Sequence, residues 1–204
     1  MRTKFFASIF AIPATVLSII SCNSFNPGPL PEDIVGDQPG ELEQKIKDLL
    51  DQAGTDTSKV EFAEISTTFT YKENDNKAYV SIQIISPENK DKMVQYDWND
   101  MKDRRNHYEM FELTVSSFDD DVIDNYDGYK DMLFTYSDAA IYLKNLPTYC
   151  KEALEASGYK ENGCINSFNI EADRAFINVG YKGQSSIFKT YNISEDKNHI
   201  VIPE

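Results

Sequence analysis

The sequence predicts an α+β fold made of duplicated helix-plus-antiparallel-sheet units, in which a helix followed by three to four strands occurs twice. Three observations predict it. Leu42, Ile46, Leu49, Leu50 and Ala53 fall on one helical stripe, and Leu146, Cys150, Ala153, Leu154 and Ser157 repeat its spacing. Gly54 and Gly158 stop the two stripes, and alternating apolar and polar runs follow each. Lys77-Ala78-Tyr79-Val80-Ser81-Ile82 is echoed by Arg174-Ala175-Phe176-Ile177-Asn178-Val179, as a repeated unit requires.

The elements follow in chain order. Arg2 and Lys4 precede an apolar run from Phe5 to Val16, and the stretch closes on Ile19-Ile20-Ser21-Cys22. A basic start, a short apolar core and a small residue at the end mark residues 1–21 as a secretory signal peptide. Ile19 to Cys22 resemble the lipobox of bacterial lipoproteins, with Ile where Leu is usual. The resemblance implies a lipid on Cys22 with cleavage after Ser21, hence palmitate labelling and a membrane anchor. Asn23 replaces the Asp that favours inner-membrane retention in that family, which points to the outer membrane. Two or three acyl chains hold a protein stably where one does not.

Cleavage leaves 183 residues and removes two basic groups, so 18 Lys and Arg face 34 Asp and Glu, a net charge of −16. Such a surface repels nucleic acid and anionic head groups, so no nucleic-acid partner is expected. Residues 22–40 form a lipidated tether with four prolines and three glycines beyond Cys22, without a period of 2 or 3.6.

The first helix-plus-sheet unit is expected over 41–118: the helix, then strands at Val60–Tyr71, Lys77–Ser86, Met93–Trp98 and His107–Phe118. An acidic connecting segment covers 119–136. The second unit covers 137–204, with a short helix at Ser137–Asn145, a helix begun near Pro147, strands at Cys164–Ala172, Ala175–Lys182 and Ile187–Ser194, and a terminal His199–Ile202. Helix and sheet in this order, duplicated behind a lipid anchor, resemble the tandem PepSY-like and β-lactamase-inhibitor-like lipoproteins. Cystatin-like folds share the arrangement, and no functional residue carries over.

Few residues suggest chemistry. Cys150 and Cys164 are the thiols left once Cys22 is lipidated, and an even pair in an exported chain predicts a disulfide. The alternative, a catalytic thiol, needs a base, and His107 and His199 are the only histidines. Asp119, Asp121, Asp124 and Asp127 are weak candidates for a Ca²⁺ site, because placing Gly128 at the EF-hand glycine puts Ile123 and Phe134 at ligand positions. No cofactor is therefore expected beyond the covalent lipid. Tyr126, Tyr129, Phe134 and Tyr136 crowd the acidic segment, suited to a core or to an interface.

The chain contains no G-x-S-x-G, H-E-x-x-H, Walker A or G-x-G-x-x-G pattern. The expected function is a non-catalytic binding or inhibitory module for a protein, peptide or glycan, held at the cell envelope with its body in the periplasm or at the surface. The alternatives are a hydrolase using scattered carboxylates and a structural subunit of an envelope complex. A sheet covered by helices on one face leaves the other free, so Tyr79, Ser81, Asn178 and Gly180 are expected to look outward.

Overall fold

The computed structural model describes residues 41–70, 77–99, 108–116 and 122–202. The leader, Cys22, the tether, Asp119, Asp121 and His107 lie outside the described residues.

Helix α1 (Glu41–Ala53) buries the predicted stripe of Leu42, Ile46, Leu49 and Leu50. It ends at Gly54, whose φ of 70° lies in the left-handed region that a side chain disfavours. Strands β1 (Glu61–Thr70), β2 (Lys77–Ile85), β3 (Met93–Asn99) and β4 (Tyr108–Leu113) follow. A small ribbon joins β5 (Val115–Ser116) to β6 (Val122–Ile123). Then come α2 (Tyr126–Tyr129) and β7 (Phe134–Thr135).

Helix α3 (Tyr136–Ser157) opens on a capping box between Thr135 and Asp138 and closes on Gly158, again left-handed. It replaces the two helices expected across Pro147. A proline inside a helix forfeits a backbone hydrogen bond and costs about 3 kcal/mol. Burial on both sides of it offsets that cost, since Ala139 and Leu143 precede it and Tyr149, Cys150, Ala153 and Leu154 follow it, all in the core. Strands β8 (Gly163–Glu171), β9 (Ala175–Tyr181) and β10 (Gln184–Asn192) follow, and beyond them Ile193 bridges to Ile200.

The structure overturns the expected pair of helix-plus-sheet units. The strands form one antiparallel sheet of eight, in the order β10-β9-β8-β1-β2-β3-β4, with β7 beside the start of β1. The join is β1 against β8, from Glu64 opposite Glu171 to Thr68 opposite Ser167. As separate units, β1 and β8 would each present an unpaired edge, and pairing them satisfies both rows of backbone groups. One hydrophobic cluster lies beneath both long helices and includes Ile46 and Leu49 of α1, Leu146 and Tyr149 of α3, and Phe62, Ile82, Phe168 and Ile177 of the sheet.

A smaller cluster sits on the opposite face. Ile85, Met93 and Tyr129 are its buried members, with Leu113, Val115, Ile123 and Leu133 packed around them. Strand β5, together with residues 122–133, thus straps one end of that face. Tyr129 donates to the Ile123 carbonyl at 2.7 Å, and Tyr126 donates to Glu61 at 2.7 Å. The aromatics beside the acidic segment are structural: Tyr129 and Phe134 are buried, and Phe134 stacks on Phe62 with ring centroids 5.6 Å apart.

Thr67 in β1 faces the main core, opposite Val80 on one side and Phe168 on the other. It is fully buried, and its hydroxyl finds no hydrogen-bond partner. An unsatisfied buried hydroxyl costs roughly 1–3 kcal/mol. Thr67→Val keeps the shape and removes that cost, so it is expected to raise the free energy of urea unfolding by about 1 kcal/mol. A loss of stability in that titration would mean that the hydroxyl is satisfied.

Candidate functional site

Strict alternation along the strands sorts side chains between the helix-covered face and the far face. In β2, Val80, Ile82 and Ile84 enter the main core, which sends Tyr79, Ser81 and Gln83 to the far face. In β9, Ile177 and Val179 enter the core and leave Asn178 and Gly180 opposite, as expected from the sequence.

The register aligns these outward residues into rows across the sheet. One row runs Thr190, Asn178, Ser167, Thr68, Tyr79, Asn99. The next runs Asn192, Phe176, Asn169, Ser66, Ser81, Asp97, Glu109. A third runs Glu171, Glu64, Gln83, Gln95, Phe111. Beyond it lies the end strapped by the smaller cluster.

Side chains within the rows bond to one another. On the β8 side, Ser66 donates to Asn169 Oδ1 at 2.7 Å, Asn178 to Ser167 at 2.8 Å, and Thr190 to Asn178 Oδ1 at 2.6 Å. On the β2 side, Gln83 donates to Glu64 at 2.9 Å, and Gln95 donates to Asp97 at 2.9 Å and to the Tyr79 hydroxyl at 3.2 Å. Asp97 is only 3% exposed. Burial, and then the Asp97 carboxylate beside it, hold the Tyr79 phenol far above its usual range. Burial first, and Glu171 across the strand pair second, raise the Glu64 carboxyl above its ordinary 4.5.

Two further groupings test for catalysis. Glu64 and Glu171 are directly opposed carboxylates, but Gln83 donates to the first and Arg174 to the second, at 2.7 Å. Near the C-terminus, Ser194, Asp196 and His199 come together. Ser194 Oγ gives its proton to Asp196 at 2.6 Å, and His199 Nδ1 lies 3.4 Å from the serine and 3.5 Å from the aspartate. A nucleophilic triad needs the histidine to take the serine proton through one ring nitrogen and hold the carboxylate through the other. Here one nitrogen meets both, and the serine also accepts from the His199 backbone at 3.3 Å. The three residues close a tight turn.

The candidates named from sequence fall elsewhere. Cys150 is buried in the main core, its thiol pushed up to about 12 by burial. Cys164 immediately precedes Ile165, which enters that core, so alternation turns Cys164 to the far face, 3.5 Å from Asn166 Oδ1. The structure therefore carries two separate buried thiols in place of the expected disulfide, with the sheet between them. Asp124 and Asp127 are exposed, and Asp127 pairs with Lys130 at 3.2 Å. Among the described residues no group of three or more His, Cys, Asp or Glu side chains is placed to hold a metal ion, and no helix is long and apolar enough to cross a membrane.

Comparison with family models, curated proteins and solved structures finds no match for this chain. The far face of the sheet is thus read on its own chemistry. It offers paired donors and acceptors from Asn, Gln, Ser, Thr and Tyr, and the formal charges in its rows are those of Asp97, Glu64, Glu109 and Glu171.

Two outcomes follow from this geometry. Unreduced protein unfolded in denaturant should release two alkylatable thiols from Cys150 and Cys164, and finding neither would restore the disulfide. For Glu64, a folded-state value above the unfolded one means that the folded state binds the extra proton, so stability falls as pH rises through the unfolded and then the folded value. Glu64→Gln should therefore be more stable than the parent at pH 7, with the advantage fading below about pH 4.5. Urea titrations at both pH values measure it, and an advantage that grows on acidification would reverse the assignment.

Proposed function

We propose that the chain is a lipid-anchored binding module of the cell envelope, whose recognition surface is the far face of the sheet. The lipobox-like Ile19 to Cys22 supports the anchor, and the Pro- and Gly-rich tether supports a body standing clear of the bilayer. The observation that carries the binding reading is the polar network of that face. A buried polar group is retained only where it is satisfied or used, and across three rows of this face polar side chains hold one another in place. Preorganised groups lose less entropy when a ligand arrives. Asp97, Glu64 and Glu171 on the face serve as hydrogen-bond acceptors for neighbouring side chains, which suits holding a ligand better than cleaving one.

The test combines the two parts of the reading. Cys22→Ser is expected to move the protein from the membrane to the soluble fraction and to abolish palmitate incorporation. In cross-linked envelopes, the anchored parent is expected to capture a partner that the Gln95→Ala/Asn178→Ala variant loses at unchanged thermal stability. Capture that is equal for parent and variant sinks the recognition surface, and membrane retention of Cys22→Ser sinks the anchor.

A further inference from the structure

From the chemistry of the far face we infer that its ligand is a neutral, hydroxyl-rich glycan lying across the strands. This rests on the binding reading above and names the ligand class.

The first argument is charge. The chain carries a formal net charge of −14, which becomes −16 when residues 1–21 are removed as the anchor reading proposes, and the charged side chains in the three rows are all acidic, which opposes acidic glycans, phosphates and nucleic acid. The acids also offer little to a cationic peptide. Asp97 is buried and accepts from Gln95, Glu171 accepts from Arg174, and Glu64 accepts from Gln83 with its carboxyl shifted toward the neutral form. Apart from Glu109 on the marginal strand β4, what remains in the rows to meet a ligand is uncharged.

The second argument is the kind of hydrogen bonding presented. Each Asn and Gln amide both donates and accepts, as does each Ser, Thr and Tyr hydroxyl. A sugar hydroxyl has the same dual character, whereas an extended peptide needs the free backbone groups of a strand edge, which the middle of a paired sheet lacks. The third argument is that no Phe, Trp or Arg stands in these rows on the central strands β8, β1, β2 and β3, where the aromatic present, Tyr79, accepts from Gln95 through its hydroxyl. Protein interfaces concentrate their energy in buried aromatic and Arg anchors near the centre. Here the exposed aromatics stand at the margins, with Phe111 on β4 45% exposed and Phe188 on β10 59% exposed. Phe188 lies opposite Gly180, in line with the far-face residues of β9. Rings at the rim suit stacking on the ends of a ligand whose middle is bonded by amides and hydroxyls.

The row from Thr190 to Asn99 crosses six strands, and at about 4.8 Å per strand spacing it spans about 24 Å. That length accommodates a linear run of several sugar units.

The test uses the detergent-solubilised lipidated protein against immobilised neutral glucan, neutral mannan, acidic alginate and oligolysine. A neutral matrix is expected to retain it equally at low and high salt, because no ion pair is involved. Gln95→Ala/Asn178→Ala should weaken that retention about tenfold or more, from the loss of two or more hydrogen bonds. Retention by alginate alone overturns the inference, as does neutral-glycan binding that the double variant leaves intact. Retention by oligolysine alone, salt-sensitive and lost in the variant, overturns the glycan but keeps the binding face. No retention on either neutral matrix also overturns the glycan. Envelope capture that depends on the face would then keep the binding reading, and capture independent of it would remove both.

Discussion

The pairing of β1 with β8 is the constraint on which the rest of the structure depends. It joins segments about a hundred residues apart, as the Ser66 to Asn169 bond illustrates with a separation of 103. By closing what would be two edges it makes one sheet, and one sheet allows a single core to run beneath α1 and α3. The long helices meet on that core, where Tyr136 at the start of α3 donates to Glu43 of α1 at 2.6 Å. The Lys47 ammonium bonded to Glu43, with Tyr136 adding to it, holds that carboxyl below the usual range. Contacts of such long sequence separation are slow to form, because the loop entropy is lost before the pairing is gained.

The same pairing creates the far face. Residues that are ordinary strand polars in isolation become one network only when β8 and β9 are set beside β1 and β2. Glu64 then has Gln83 on one side and Glu171 on the other, which supplies the charge contribution to its raised pKa. Tyr129, packed with Ile85 and Met93, bounds this face at one end. Core and candidate site are thus two sides of the same strands, and a substitution that shifts the register by one residue would exchange them.

Sequence periodicity determined a good deal of this chain by itself. The α1 stripe, the glycines that end α1 and α3, and the alternation in β2 and β9 are local properties, fixed by 3.6- and 2-residue repeats and by the left-handed preference of glycine. That is why Tyr79, Ser81, Asn178 and Gly180 were legible as outward-facing. The fate of Cys164 was not, because it adjoins Ile165 and two neighbouring apolar residues do not reveal which of them enters the core. Tertiary structure alone decided that Pro147 sits inside a continuous α3, since only burial on both sides of it outweighs the lost backbone bond. It alone decided that the strands form one sheet and that Ser66 meets Asn169. Strand pairing is chosen by satisfying backbone edges and burying both long helices together, and those energies belong to the whole assembly.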